Sequence, residues 1–469
     1  MASRGILSYG AYLPYRRLDR SEIRAVAGTG GGRGTRTVAS FDEDATTMGV
    51  AAARAALVAA PDGVRAGSLW FATVSPPYLD KTNATAIHAA LRLGADVPAF
   101  DVNGAVRSAV GALRAGLASV TPSLVVTADM RTGQPGSSDE AAGGDAASAL
   151  LVGSSDDGPL LAEVLGTGSA TEEFLDRWRT PGDTRSKLWE ERFGENRYVA
   201  LGARAWDDAL KAAGLVVDQV DRVVVATSHG RAATTLGRKL GLGDRLAAAL
   251  DATVGFTGAA QPGLLLADAL DTVTAGQTIA LVVLADGADV IVLRSTEALV
   301  TGRPSPSVAD QLAAGGAVPY GKMLAWRGYL PVEPTRRPEP PRPSASAAGR
   351  SRPWKFGFVG SQGDDGTVHL PPVPQDDQPR PMADAGGTIV TYTIDRLAYS
   401  PSPPVVFAVV DFDGGGRLPV ELTDVDVDDV AIGGRVEMTF RRLFTSDGIH
   451  NYFWKARPVR SVAGTSEES

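Results

Sequence analysis

Short apolar runs alternate with amphipathic stretches over the first three hundred residues, and the order in which they come repeats. SLWFATVS (68–75) reads as a strand that leads through PPYLDKT to a helix ending at LRLG (91–94). RVVVATSHG (222–230) does the same and ends at RKLG (238–241). A small-residue turn and helix follow in each copy, NGAVRSAVGALRAGL and GFTGAAQPGLLLADAL. Next come a strand, SLVVTAD (123–129) or TIALVVLAD (278–286), and another, ASALLVG (147–153) or DVIVLRS (289–295). Matched elements lie about 150 residues apart, the size of an ordinary domain unit. Val/Ile/Leu runs bounded by Gly and Asp predict strands buried on both faces with helices outside them. Two similar α/β halves, 1–170 and 171–330, are therefore expected to pack face to face. The second half opens with a polar insert, 170–194, in which Pro181 and Gly182 should break one helical stretch from the next.

Beyond residue 330 the pattern changes. Residues 331–353, PVEPTRRPEPPRPSASAAGRSRP, cannot build a core and should form an extended linker. In 354–469 the alternation becomes strand-like: TIVTYTIDRL (388–397), VVFAVVDF (405–412), RLPVELTDV (417–425), RVEMTFRRLF (435–444) and NYFWKARP (451–458). Five short strands separated by GGG, DVDD and SDG turns predict a small antiparallel barrel of the OB type.

Composition adds limits. The chain has 469 residues, 44% hydrophobic and 21% charged, which is ordinary for a globular protein with two or three cores. No run of eighteen apolar residues and no leader-like N-terminus is present, so a cytoplasmic protein that does not enter a membrane is expected. A net charge of -8 argues against nucleic acid as the main partner. The chain contains no cysteine, which removes thiolate nucleophiles, disulfides and thiolate-bound metals.

Several stretches carry a family likeness. GILSYGAYLPYRRL (5–18), FDEDATTMGVAAARAAL (41–57), SPPYLDKTNATAIHAALRLG (75–94) and TVGFTGAAQPGLLLADALDT (253–272) resemble the thiolase superfamily, most closely its hydroxymethylglutaryl-CoA synthase branch. The tail from WKFGFVGS to HNYFWKARP resembles the acyl-CoA-associated OB-fold domain that accompanies these enzymes. The resemblance implies a duplicated five-layer α/β core followed by the barrel. It also implies a coenzyme A thioester as ligand or substrate, a homodimer through the core, and a role in acyl-CoA or lipid metabolism.

In the family a glutamate follows the first paired strand, a cysteine starts a buried helix, an asparagine helps hold the thioester oxygen, and a histidine follows the second strand. A helix N-terminus lowers the thiol pKa, the thiolate takes the acyl group, and acid/base partners move the enolate protons. The resemblance places Val74 at the glutamate, Val106 at the cysteine and Phe256 at the asparagine; only His229 keeps its expected identity. Valine has no lone pair to donate, so acyl-cysteine Claisen chemistry of the synthase or thiolase type is excluded at position 106. Two readings of His229 stand side by side: an acid or carbonyl-holding group, or an inherited histidine satisfied by the backbone. Ser108, two residues into the helix, is turned about 200° from the nucleophile position and reads as packing. Ser228 adjoins His229 on a loop, a poor attack geometry.

The relatives carry a four-cysteine zinc ribbon before the barrel. Here 354–378 has no cysteine, so a hairpin closed by Asp364, Asp365 and Gly366 is expected in its place, without zinc. Arg336, Arg337, Arg342, Arg350 and Arg352, with Lys355, make the one dense basic run. Arg336, Arg337 and Arg342 are candidate contacts for coenzyme A phosphates, against the competing reading of a solvated linker on acidic surface. Two functions follow from these readings. The first is a catalytically degenerate protein that binds or channels acyl-CoA and partners an active thiolase-like subunit. The second is an acyltransferase, lyase or condensing enzyme that relies on His229 without a cysteine.

Overall fold

The computed structural model describes residues 2–333, 335–376 and 378–460. Nine strands form one mixed sheet: β1 (Arg4–Tyr12), β2 (Ser68–Thr73), β3 (Ala99–Asn103), β4 (Ser123–Asp129), β5 (Ala146–Ser154), β6 (Ala162–Ala170), β7 (Arg222–Thr227), β8 (Thr278–Leu284) and β9 (Ala288–Ser295). Their spatial order is β7-β8-β9-β6-β1-β5-β4-β2-β3. Within the sheet, β1 and β6 join the two halves through the pairs Gly5 with Glu163 and Ile6 with Ala162. On either side of that joint the same arrangement is built, with β2 parallel to β4 and β7 parallel to β8.

Helices divide these strands into layers. One core packs α1 (Ala45–Val58) and α2 (Ala84–Ala90) against β2, β4 and β5. A second encloses α3 (Ser108–Ala118) and α6 (Gln261–Thr272) between strands of both halves. A third packs α4 (Glu191–Ala213) and α5 (Gly230–Lys239) on β7, β8 and β9. Helix, sheet, helix pair, sheet and helix make five layers. In both halves the outer helix lies directly on a glycine of the strand beneath it. A Cβ on Gly10 would stand 2.4 Å from the Ala52 carbonyl oxygen of α1, and one on Gly168 1.9 Å from that of Ala205 in α4. Any larger residue would lift the helix off its sheet.

After the core comes a three-stranded sheet of residues 359–362, 368–369 and 378–381. The barrel follows, with β10 (Gly387–Asp395), β11 (Val405–Phe412), β12 (Arg417–Glu421), β13 (Arg435–Ser446) and β14 (Ile449–Pro458) in the order β12-β11-β10-β13-β14. A bridge between Leu422 and Ala456 closes it. Its interior is contiguous with the first core, because Met438, Phe440 and Trp454 belong to the same apolar cluster as α1.

Three features differ from the sequence reading. The boundary at residue 170 falls too late: β6 pairs with β9 from Ala170 and Ala288 to Ala162 and Ser295, so it opens the second half as β1 opens the first. The insert is not helical on both sides of Pro181. Residues 177–178 and 187–188 form a short antiparallel hairpin, and its turn carries Gly182 at φ +89° with Thr180 donating to Asp183 at 2.5 Å. The linker is irregular only to residue 344. Ala345–Arg350 is a short helix, because its alanines favour one and no proline interrupts it, and Arg352–Lys355 is another that carries Pro353 in its first turn, where no N–H is needed.

Candidate functional site

Loops at the carboxyl ends of the parallel strands surround a cavity of about 630 Å³. Val74 and Ser75 come from the end of β2, Asn103 to Val106 from the end of β3, and Leu284 to Asp286 from the end of β8. Phe256 enters from the segment before α6, and the insert covers the mouth with residues 177–183. Val74, Val106 and Phe256, assigned from distant motifs, thus line one space. Val106 lies two residues before the first residue of α3, in a turn where its carbonyl accepts from the Ala109 N–H at 3.2 Å.

Two polar groups hold these loops, Asp129 buried and Arg107 half-buried. Asp129, the last residue of β4, accepts from the Val74 N–H at 2.7 Å, Thr73 Oγ1 at 2.8 Å and Ser75 Oγ at 3.0 Å. Its other oxygen accepts from the Ala259 N–H at 2.5 Å, which ties the β2 loop to the Phe256 loop. Gly258 has φ +59° and passes so close that a Cβ would stand 2.0 Å from this carboxylate. Burial pushes the Asp129 carboxyl up, against the pull of Arg131 and these donors. Arg107, beside Val106, reaches across to the second half. It pairs with Asp289 at 2.8 Å and donates to the Asp286 carbonyl at 2.9 Å and Thr171 Oγ1 at 3.0 Å. From the insert, Arg179 donates to the Val74 carbonyl at 2.8 Å, and Arg177 pairs with Asp139.

The comparisons with known proteins agree with this architecture. Residues 379–441 match the family model for the C-terminal OB-fold domain of ChsH2. A hydroxymethylglutaryl-CoA synthase from Pyrococcus furiosus is 30% identical over 247 residues, spanning 51% of this chain and 70% of that protein. The chain belongs to the hydroxymethylglutaryl-CoA synthase family. Its fold is similar to that of PksG, an HMG-CoA synthase from Bacillus subtilis, with a TM-score of 0.60 at 19% identity, covering 70% of this chain and 89% of that one. It is also similar to an HMG-CoA synthase crystallised with CoA, with a TM-score of 0.59 at 16% identity, covering 68% of this chain and 89% of that one.

Against this synthase family's pattern, the site is apolar where polar chemistry is expected. His229, to which the resemblance assigns the family's histidine, stands at the start of α5, 8% exposed. Its Nδ1 accepts from the Ala232 N–H at 3.3 Å, and its Nε2 donates to the Glu191 carbonyl at 2.9 Å, so both ring nitrogens are engaged by backbone. Asp176 lies beside it, pushed up by burial and pulled down by His229. Ser228 and Tyr198, in contrast, line the cavity. Ser108 is not among the lining residues, and its hydroxyl is 3.4 Å from the carbonyl of Asn103.

The linker arginines are elsewhere. Arg337 pairs with Asp395 at 3.3 Å and Arg342 with Asp447 at 3.0 Å, both on the barrel, and Arg336 is exposed; none of the three lines the cavity. In the segment that replaces the zinc ribbon, the hairpin turns through Gly366 at φ +85°. Asp376 accepts from Ser361 Oγ and His369 Nδ1, each at 2.7 Å. Among the described residues no group of three or more His, Asp or Glu is placed to hold a metal.

The barrel's family-like motifs meet the acidic loop before α1. Lys455 bridges Asp42 at 3.0 Å and Glu421 at 2.8 Å, and Arg441 pairs with Asp424 at 2.7 Å and with Glu43. Tyr452 donates to Asp44 at 2.8 Å, and Tyr12 to Glu43 at 2.5 Å. Both cations are 1% exposed. FDED, LTD, FRR and WKARP were legible as separate motifs, but not as one interface.

Proposed function

We propose that the chain binds an acyl-CoA thioester in the cavity between its halves, forms no acyl-enzyme, and works beside an active thiolase-like subunit that supplies the covalent step. The observation that carries this is Val106 in the wall of the cavity, with Val74 and Phe256 completing an apolar surface. A cavity of this size with convergent polar groups at its rim suits an acyl chain and its pantetheine arm. The HMG-CoA synthase crystallised with CoA supports the choice of thioester. No zinc is needed for this reading.

The alternative, an acyltransferase, lyase or condensing enzyme built on His229, requires that side chain to leave two backbone partners before it can take a proton. A second copy of the chain is read to pair through β3, at the free edge of the large sheet. Incubation with acetyl-CoA and acetoacetyl-CoA, followed by intact-mass measurement and thiol release, tests the central reading. The expected result is unchanged protein mass, no free CoA, and copurification of a thiolase-like subunit when both are co-expressed. A covalent acyl adduct, or turnover by the isolated chain that His229→Ala abolishes, would replace it with the alternative.

A further inference from the structure

Among the described residues that line the cavity, one arginine directs a guanidinium into it that no protein acceptor binds. Arg131 follows β4 by two residues, is 8% exposed, and lines the cavity with Val74, Val106 and Phe256. Its stem is cradled by glycines: a Cβ on Gly143 would stand 2.9 Å from Arg131 Cβ, and one on Gly258 3.2 Å from its Cδ. Its guanidinium lies over the Phe256 ring at 5.4 Å from the centroid. The Arg131 main chain is satisfied, donating to Asp145 at 2.7 Å and accepting from Arg36 at 2.9 Å. Among the described residues, no guanidinium N–H donates a hydrogen bond and no carboxylate forms a salt bridge with it.

Asp129 and Asp139 attract the Arg131 charge, but neither carboxylate bonds to its fork, because their oxygens face other donors. Asp129 takes four donors from the two loops, Arg177 holds Asp139, and Arg179 holds the Val74 carbonyl. An arginine carries a permanent charge and five donors in a planar fork, and here that fork is open to the cavity and free for a ligand. The shape that answers it is a carboxylate held by two parallel N–H bonds. The valines and Phe256 suit the methylenes leading to that group.

We infer that Arg131 binds a carboxylate at the acyl end of the ligand, so that the cavity selects an acyl-CoA whose chain ends in a free acid. This rests on the reading of the cavity as an acyl-CoA site. The coenzyme A phosphates are a different source of negative charge, and the test separates the two.

Calorimetric titration of wild type, Arg131→Leu and Arg131→Gln with glutaryl-CoA, pentanoyl-CoA, CoA and free glutarate decides it. Wild type should bind glutaryl-CoA about 10-fold or more tightly than pentanoyl-CoA, the value of one good charged contact. Both variants should lose that preference while binding pentanoyl-CoA and CoA as wild type does. The inference is overturned if the preference survives in a folded variant, if wild type shows none, or if CoA weakens as much as glutaryl-CoA, which would put the phosphates on Arg131. If neither thioester nor CoA binds wild type, the acyl-CoA reading fails by itself. Free glutarate then decides: binding to wild type and not to the variants keeps the carboxylate site, and any other pattern removes it.

Discussion

Position 106, to which the resemblance assigns the family's thiol, carries a branched hydrocarbon, and a chain without cysteine makes that position experimentally addressable. Val106→Cys would carry the one thiol of the whole chain. Facing a cavity open enough to admit the insert's polar side chains, it should react with one equivalent of an aromatic disulfide reagent. Saturating acyl-CoA should slow the labelling about 10-fold or more if the ligand occupies the cavity, as expected for a site mostly filled by bound ligand. Condensing activity should not appear, because Val74 has no carboxylate to move a proton and Phe256 no amide to hold the thioester oxygen. Labelling at the same rate with and without ligand would count against the proposed site. Motif position alone singled out 74, 106 and 256, which line one cavity. The commitments of His229 and Arg131 were not legible in the sequence. The first depends on the Glu191 carbonyl, 38 residues away, and the second on which neighbours were already spent.

Among elements, the decisive contact is the seam between the loop before α1 and strands β13 and β14. Asp42 is held below the usual carboxylate range: burial alone would raise it, and Lys455 and Arg441 outweigh that effect. Lys455 is held above its usual range, with burial again opposed, here by Asp42 and Glu421. A depressed carboxyl contributes stability above its unfolded value, about 3.9, and loses it as pH falls through the folded value. A raised ammonium contributes stability below its unfolded value, about 10.4, and loses it as pH rises through the folded value. Glu43 is pushed up by burial against the pull of Arg441, so it offsets part of the acid loss. Urea unfolding across pH should therefore show a plateau that falls below about pH 4 and again above about pH 10. Lys455→Met should cost about 3–5 kcal/mol at neutral pH by taking away the salt-bridge partner of buried Asp42, and Asp42→Asn in the same chain should recover part of it. An unchanged pH profile in Lys455→Met would remove this pair from the seam's energetics. The strands of the barrel were legible because turn residues punctuate them. Their docking was not, because each partner lies hundreds of residues from the other in the chain. The short helices after residue 344 and the hairpin of the insert were missed for a more local reason: proline and glycine nearby dominated the reading.

For the whole molecule, the nine-stranded sheet has two edges, and the chain treats them differently. The β7 edge is covered by its own following segment, where the Ala247 N–H donates to the Val223 carbonyl at 2.8 Å and Leu246 bridges Val223. The β3 edge pairs only with β2 among the described residues, and beside it Phe100 is 45% and Leu79 81% exposed. An open edge with exposed apolar groups is a template for strand pairing, and two copies meeting antiparallel satisfy each other's N–H and carbonyl groups by the same contacts. Pairing there would make one continuous sheet of two molecules and bring together the loops after β3, which carry Asn103 to Val106 into each cavity. Phe100→Asp adds a charge that such a pairing must bury, while leaving β3 attached to β2 in the free chain. Sedimentation should give the mass of two chains for wild type and of one for Phe100→Asp, with circular dichroism unchanged. A wild-type monomer at micromolar concentration, or a variant that remains dimeric, would mean that the open edge serves another partner. The same substitution then becomes the probe for the thiolase-like subunit, since a heteromeric sheet would be broken at the same strand.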